Sequence, residues 1–303
     1  SFYLPIAEIQ VNLLVILFFG FIVGFMSGLF GVGGGFLMTP LLIFMGIPPA
    51  TAVGTESVQI LGSSVSGAMA HGLKKNIDYE IGGFLLIGGV FGSTLGVILF
   101  NFFKESGNID LIIKFLYILF LATIGGLMLI ESTISLVAEK KTGTVVRKKE
   151  RNFLDLLPMK LKFRQSRIYI SILLPISVGI FVGFLSAFMG VGGGFVMVPA
   201  MIYIFRMGTV LAIGTSLFQI VFVTLNVSIL HATFNFSVDL ILAIFLLIGG
   251  VIGAQYGSKF TSRFKGEQIR VLLAIIVLGV CTKMGIELVS EPLFNSRIIL
   301  QNG

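Results

Sequence analysis

The chain has 303 residues, of which 56% are hydrophobic and 12% charged, where a soluble domain carries about 25% charged residues. That balance excludes a water-soluble globule. The formal charge of +7 does not imply a nucleic-acid partner either, because residues 139–167 hold ten Lys/Arg against three Asp/Glu and the remainder is neutral.

Apolar runs near 12–29, 79–103, 111–130, 169–188, 240–260 and 271–289 reach or approach the ~20 residues that cross ~30 Å of hydrocarbon. An all-α polytopic membrane protein is expected. Residues 1–12 contain no Lys or Arg, unlike the start of a secretory signal peptide. In the first run Gly20, Gly24 and Gly28 recur every four residues, a smooth stripe for close helix packing. Next comes Gly31-Val32-Gly33-Gly34-Gly35-Phe36, which the chain repeats letter for letter as Gly190-Val191-Gly192-Gly193-Gly194-Phe195. Around both copies the match continues: Pro40 with Pro199, Gly54-Thr55 with Gly214-Thr215, Gln59 with Gln219, His71 with His231. A period this long marks a duplicated half-protein. Glycine breaks inside apolar sequence cannot face lipid, which offers no partner to their N–H and C=O groups. Residues 36–45 and 195–205 follow the breaks, and about eleven helical residues span only ~17 Å. Each is expected to be a broken or re-entrant half-helix.

Residues 51–70 form the least hydrophobic membrane segment, with Thr55, Gln59, Ser63 and Ser66 along one helix face. Its twin presents Thr215, Gln219 and Asn226. Glu56 is the carboxylate well inside an apolar segment, and its twin is Ser216. Glycines 88, 92 and 96, repeated as 249, 253 and 257, again read as packing. Loop charges set the topology. Lys74-Lys75, the basic linker and Lys259–Arg270 belong in the cytoplasm by the positive-inside rule, while the Lys-free segment 231–238 belongs outside. Both termini then lie outside, and the halves have opposite orientation: two inverted-topology repeats. The expected organisation is a first repeat over 1–135, a basic cytoplasmic linker over 136–167, a second repeat over 168–291 and a tail over 292–303. Residues 153–163 of the linker could lie in the membrane interface or be merely solvated.

The usual catalytic patterns are missing. Phe36 replaces the third glycine of a dinucleotide fingerprint, no GK[ST] follows either glycine run, and HExxH is absent. Cys281 is the single cysteine, so neither a disulfide framework nor a cysteine-rich metal site is expected. No catalytic residue, metal or cofactor is expected. Glycine runs suit anion capture instead. Backbone free of Cβ atoms presents successive N–H groups as a concave nest, and a helix starting just after it adds about half a positive charge. The alternative is a tight turn that only lets helices pack. The candidate substrate-binding residues are Gly31, Gly33, Gly34 and Gly35 with Thr55 and Gln59, then Gly190, Gly192, Gly193 and Gly194 with Thr215, Ser216, Gln219 and Asn226. Glu56 is the proton-coupling candidate: ionised it repels an anion, protonated it can donate to one.

The run G-L-F-G-V-G-G-G-F-x-x-x-P over 28–40, the following A-V-G-T, and the second-half G-V-G-G-G-F-x-x-V-P with A-I-G-T-S resemble the sulfite exporter TauE/SafE family. The similarity covers about 12–135 and 168–290. It implies an integral membrane permease for sulfur-containing anions such as sulfite, sulfonates or sulfoacetate, often exporting products of organosulfonate breakdown. The partners expected are a small anionic substrate and the bilayer, in a plasma or bacterial inner membrane, with a homo-oligomer allowed. A passive anion channel, and a scaffold or sensor that uses the basic linker, stay open as other readings.

Overall fold

The computed structural model of the chain describes residues 2–30, 35–139, 158–260 and 266–290. Helices dominate it. In chain order they are α1 (Leu13–Phe30), α2 (Gly35–Phe44), α3 (Pro49–Leu73), α4 (Tyr79–Glu105), α5 (Ile109–Glu139), α6 (Leu173–Met189), α7 (Gly194–Tyr203), α8 (Thr209–Leu230), α9 (Leu240–Phe260) and α10 (Gly266–Ser290). Four segments among the described residues, Tyr79–Glu105, Ile109–Leu127, Thr209–Asn235 and Leu240–Gly257, are long and apolar enough to cross a bilayer. Phe18, Phe91, Ile98, Phe115, Phe181 and Ile244 stand exposed on the outside. Such a contiguous apolar coat requires a hydrocarbon environment, and the chain is an integral membrane protein.

The glycine stripes are where the helices meet. The first and fourth helices of the two duplicated stretches pair crosswise, α1 on α9 and α4 on α6. A Cβ on Gly24 would lie 2.1 Å from the Gly250 carbonyl oxygen, and one on Gly183 would lie 2.2 Å from that of Gly89. Both separations are far inside van der Waals contact, so the backbones touch and no side chain fits between them. Gly24→Val is therefore expected to push α1 off α9. The overpacking should cost about 3 kcal/mol, read as a clear fall in the melting temperature of the detergent-purified protein, whereas Gly83→Ala, which meets no atom within 4 Å, should leave it unchanged.

At the centre α3 packs on α8, and the contacts fix their directions. Thr55, near the start of α3, accepts the N–H of Asp239, which lies beyond the end of α8, at 3.0 Å. Thr215, near the start of α8, accepts the N–H of Asp78, beyond the end of α3, at 2.9 Å. The two helices run in opposite directions.

Asp78 and Asp239 also start helices. Asp78 caps α4 by accepting from the N–H groups of Glu80 and Ile81, and Asp239 takes the N–H of Leu242 at the start of α9. Such caps satisfy donors that the first helical turn leaves unpaired. The second oxygen of each carboxylate holds a β-hairpin. Strands β1 (Phe2–Leu4) and β2 (Ile9–Val11) pair antiparallel ahead of α1, and β3 (Lys160–Phe163) and β4 (Ile168–Ser171) do so ahead of α6. Asp239 Oδ2 accepts from Ile6 N–H at 3.3 Å in the first hairpin. Asp78 Oδ2 accepts from the N–H and hydroxyl of Ser166 in the second. Each hairpin is thus held by the opposite half of the chain.

Within the sequence-derived organisation, α5 runs on to Glu139, past residue 135, and the second hairpin spans the junction at 167/168. Residues 153–157 of the segment weighed as interfacial lie outside the described residues, and Lys160–Phe163 is strand.

Candidate functional site

The two glycine runs differ in what can be said of them. Gly31, Gly33 and Gly34 lie outside the described residues, and Gly35 is the first residue of α2. The second run is fully described and buried. Gly190 ends α6 in the left-handed region with φ 68°, and Gly193 precedes α7 with φ 78°. Gly192 between them also has a positive φ, 68°, and that region disfavours any residue with a Cβ, so three glycines let the chain leave one helix and start the next within four residues. No side chain caps α7. The N–H groups of Val196 and Met197 bond back to the Gly193 carbonyl at 3.1 and 2.9 Å, which leaves those of Gly194 and Phe195 without an acceptor inside the helix.

Both halves enclose this turn. A Cβ on Gly190 would lie 2.5 Å from the Val53 carbonyl of α3, and one on Gly192 would meet Ile60 of α3 at 2.7 Å and Ile220 of α8 at 3.2 Å. The two short helices begin beside one another: the rings of Phe36 and Phe195 stack with centroids 4.3 Å apart. Pro40 and Pro199 sit inside these helices. There proline removes one main-chain donor, and each helix runs on four residues past it.

Polar groups converge on the same region. Gln219 is completely buried, and neither its amide nitrogen nor its oxygen has a hydrogen-bond partner among the described residues. Its Nε2 lies 2.4 Å from where a Cβ of Gly89 would stand, in the notch where α4 and α6 touch. Gln59, its half-buried twin, fills the matching notch at Gly250, 2.9 Å from that Cβ position. An unpaired buried amide costs about 1–3 kcal/mol.

Glu56 is also completely buried. Thr39 of α2 donates its hydroxyl to Glu56 Oε2 at 2.6 Å. Thr39 Oγ1 also lies 3.3 Å from the Met189 carbonyl, the last of α6, and Tyr117 of α5 donates to that carbonyl too. The chain Glu56–Thr39–Met189–Tyr117 thus joins α3, α2, α6 and α5 directly beside Gly190. Glu56 Oε1 has no partner among the described residues and lies 3.1 Å from the Cβ position of Gly35. Thr39 and Tyr117 escape sequence reading, because nothing local distinguishes a threonine or tyrosine in an apolar helix. The duplication offers one hint: Val198 occupies the position equivalent to Thr39, as Ser216 does for Glu56.

Other candidates are engaged in holding the fold. Thr55 and Thr215 accept the aspartate N–H groups already described. The Ser216 hydroxyl bonds back to the Ile213 carbonyl of its own helix at 2.9 Å. Asn226 donates to Ser93 and Thr94 of α4, each at 3.0 Å. His231 lies in a π-helical turn (His231–Asn235) closing α8 and is fully buried. Its Nε2 meets the Ala187 carbonyl at 2.9 Å and its Nδ1 the Asn235 amide at 3.0 Å. A carbonyl only accepts, so Nε2 carries the proton and Nδ1 receives one from Asn235.

Comparison with known proteins agrees with this architecture. The family described as Sulfite exporter TauE/SafE matches residues 16–284. The chain is 31% identical over 264 residues to the Bacillus subtilis protein named "Probable membrane transporter protein YjnA", covering 87% of this chain and 96% of that one. It is 27% identical over 286 residues to the Methanocaldococcus jannaschii protein named "Probable membrane transporter protein MJ0441", covering 90% and 95%. A shorter stretch of 78 residues, 26% of this chain and 18% of the other, is 32% identical to "Sulfite exporter TauE/SafE family protein 6" of Arabidopsis thaliana. No solved structure matches. With the match running through both glycine breaks and every long helix, the chain belongs to the sulfite exporter TauE/SafE family and is a membrane transporter, not an enzyme.

Proposed function

We propose that this transporter is a secondary permease for small sulfur-containing anions of the sulfite, sulfonate or sulfoacetate class, exporting them across the cytoplasmic membrane with proton coupling through Glu56. The observation that carries the proposal is the start of α7, without a side-chain cap, after three glycines of positive φ, enclosed by α3 and α8, with the unpaired amide of Gln219 next along α8 to Ile220, which meets Gly192. A helix start and a run of free N–H groups attract an oxyanion without a buried lysine or arginine. Broken helices at the junction of duplicated halves are where secondary transporters hold substrate. Flux of radiolabelled sulfite and sulfoacetate in proteoliposomes, with and without a pH gradient, tests the proposal. Gradient-driven accumulation is expected; equilibration alone means a channel, and no flux of either anion overturns the reading.

The halves are inverted repeats in this reading, each with a half-helix, α2 or α7, after its glycine break. Opposed α3 and α8 support it. So does the grouping of the loops. Gln165 donates to the Lys75 carbonyl at 2.8 Å, so the basic linker's hairpin and the 74–78 loop share one end, the end the charges assign to the cytoplasm. Lys104 donates to the Asn235 carbonyl, so the loops after α4 and α8 share an end, where Asp239 also holds the N-terminal hairpin. Single cysteines at Lys74 and at Ala232, both exposed, in a Cys281→Ser background should label from opposite faces, Lys74 from the cytoplasm. Labelling of both from one face removes the inverted-repeat reading.

A further inference from the structure

We infer that the units which move during transport are two crosswise bodies, not the two sequence halves. Each body joins the first three helices of one half to the fourth helix of the other. The inference rests on the chain being a transporter and adds the moving parts to the permease reading above.

One body holds the N-terminal hairpin with α1, α2, α3 and α9; the other holds the second hairpin with α6, α7, α8 and α4. Inside each body backbone touches backbone. Besides Gly24 on Gly250, Cβ atoms on Gly88 and Gly92 would lie 2.1 and 2.0 Å from the Ile176 and Ile180 carbonyl oxygens of α6. One on Gly54 of α3 would lie 2.7 Å from the Ser237 carbonyl oxygen ahead of α9, and one on Gly214 of α8 1.9 Å from that of Asn76 ahead of α4. Hydrogen bonds follow the same division. Asp239 ties the first hairpin to Thr55 and α9, Asp78 ties the second to Thr215 and α4, and Asn226 ties α8 to α4. Ile81 and Leu85 of α4 share one buried core with Phe163, Val182, Met197 and Ala212 of the second hairpin, α6, α7 and α8.

The seam between the bodies is α3 on α8, with the starts of α2 and α7 meeting beside it. Side chains make most of it. A Cβ on Gly67 of α3 would lie 3.1 Å from Leu217 Cδ1 of α8, Gly192 meets Ile60, and Phe36 stacks on Phe195. At the helix starts Gly190 approaches the Val53 carbonyl and Thr39 reaches that of Met189. The helices α5 and α10 pack on each other and touch both bodies. Interlocked backbones resist sliding, whereas a side-chain seam repacks when helices shear past one another. Rocking of one bundle against the other around a central site is how transporters with internal repeats alternate access.

Two cysteine pairs in a Cys281→Ser background test the inference, and both join the first sequence half to the second at neighbouring positions of α8. Gly67→Cys/Leu217→Cys spans the seam. Tyr79→Cys/Phe218→Cys, where the rings stand 5.3 Å apart, joins α4 to α8 within one body. Each pair is linked in proteoliposomes by a bis-methanethiosulfonate, which reductant removes, and flux of radiolabelled sulfite is measured. The seam link should stop flux until it is reduced; the α4–α8 link should leave flux at its unlinked level. Loss of flux with both links means that the halves move as units and overturns the inference, as does undiminished flux through the seam link. No sulfite flux in the unlinked proteins is a failure of the substrate reading alone, and spin-label distances then decide between bodies and halves. Labels at the exposed Phe102 and Leu173, in one body but different halves, should give a single narrow distance. Labels at Phe102 and the exposed Leu14, in one half but different bodies, should give a broad or double one. Equal widths, or the reverse order, overturn the inference.

Discussion

Gly193→Val is expected to abolish transport. At φ 78° the backbone lies where a branched side chain is strained, and the new Cβ would lie 2.0 Å from Val182 Cγ1. Both effects move the first turn of α7, whose N–H groups are the proposed anion donors. Displacing binding groups by about 1 Å can cost a hundredfold in rate, so flux per inserted molecule should fall by two orders of magnitude or more. The double variant Gly193→Ala/Val182→Ala relieves the overlap and keeps the backbone conflict. It should insert normally and remain about 5- to 30-fold impaired, since the left-handed conformation costs an alanine roughly 1–2 kcal/mol. Full flux in the double variant would show that the glycine is there only to make room for Val182.

Glu56→Gln should flatten the pH dependence of substrate binding. In wild type, protonation removes the negative charge beside the anion, so binding tightens as pH falls and weakens as it rises. Glutamine stays neutral at every pH. It should therefore hold the anion with the tighter, low-pH affinity throughout and lose accumulation driven by a pH gradient, while equilibration down the anion's own gradient persists. The charged form carries a repulsion on the order of tenfold in affinity, which sets the span expected between the acid and alkaline limits of the wild-type profile. The other titratable side chain on this network is Tyr117, joined to Glu56 through the Met189 carbonyl and Thr39. Tyr117→Phe should leave the profile's shape intact. A pH profile unchanged in Glu56→Gln assigns the residue a structural role.

The fold was legible where the sequence repeats itself. The glycine runs, the stripes of Gly20 and Gly24 against those of Gly249 and Gly253, and the polar faces of α3 and α8 all recur, and duplicated features point to paired roles. The hairpins were hidden, because three- and four-residue strands carry almost no periodic signal and Lys160-Leu161-Lys162-Phe163 looks like part of a basic linker. The site was legible in part. Gln219 was visible on the polar face it shares with Thr215 and Asn226, and like Glu56 Oε1 its amide is unpaired among the described residues. Thr55, Thr215 and Asn226 looked the same in sequence but spend their hydrogen bonds on Asp239, Asp78, Ser93 and Thr94. Those partners lie more than a hundred residues away, so only three-dimensional closure distinguishes a structural threonine from a ligand-binding one. Ser216 differs again, because its partner is its own helix.

The crosswise pairing of the halves bears on how the chain is made. The first helix docks against α9, some 220 residues further along, and the N-terminal hairpin waits for Asp239. At synthesis rates of about 5–20 residues per second, α1 sits in the bilayer for roughly 10–45 s before its partner exists. Throughout that interval its glycine stripe faces lipid or the insertion machinery. The first half cannot mature as a separate unit, and the ribosome must nearly finish before either half can close.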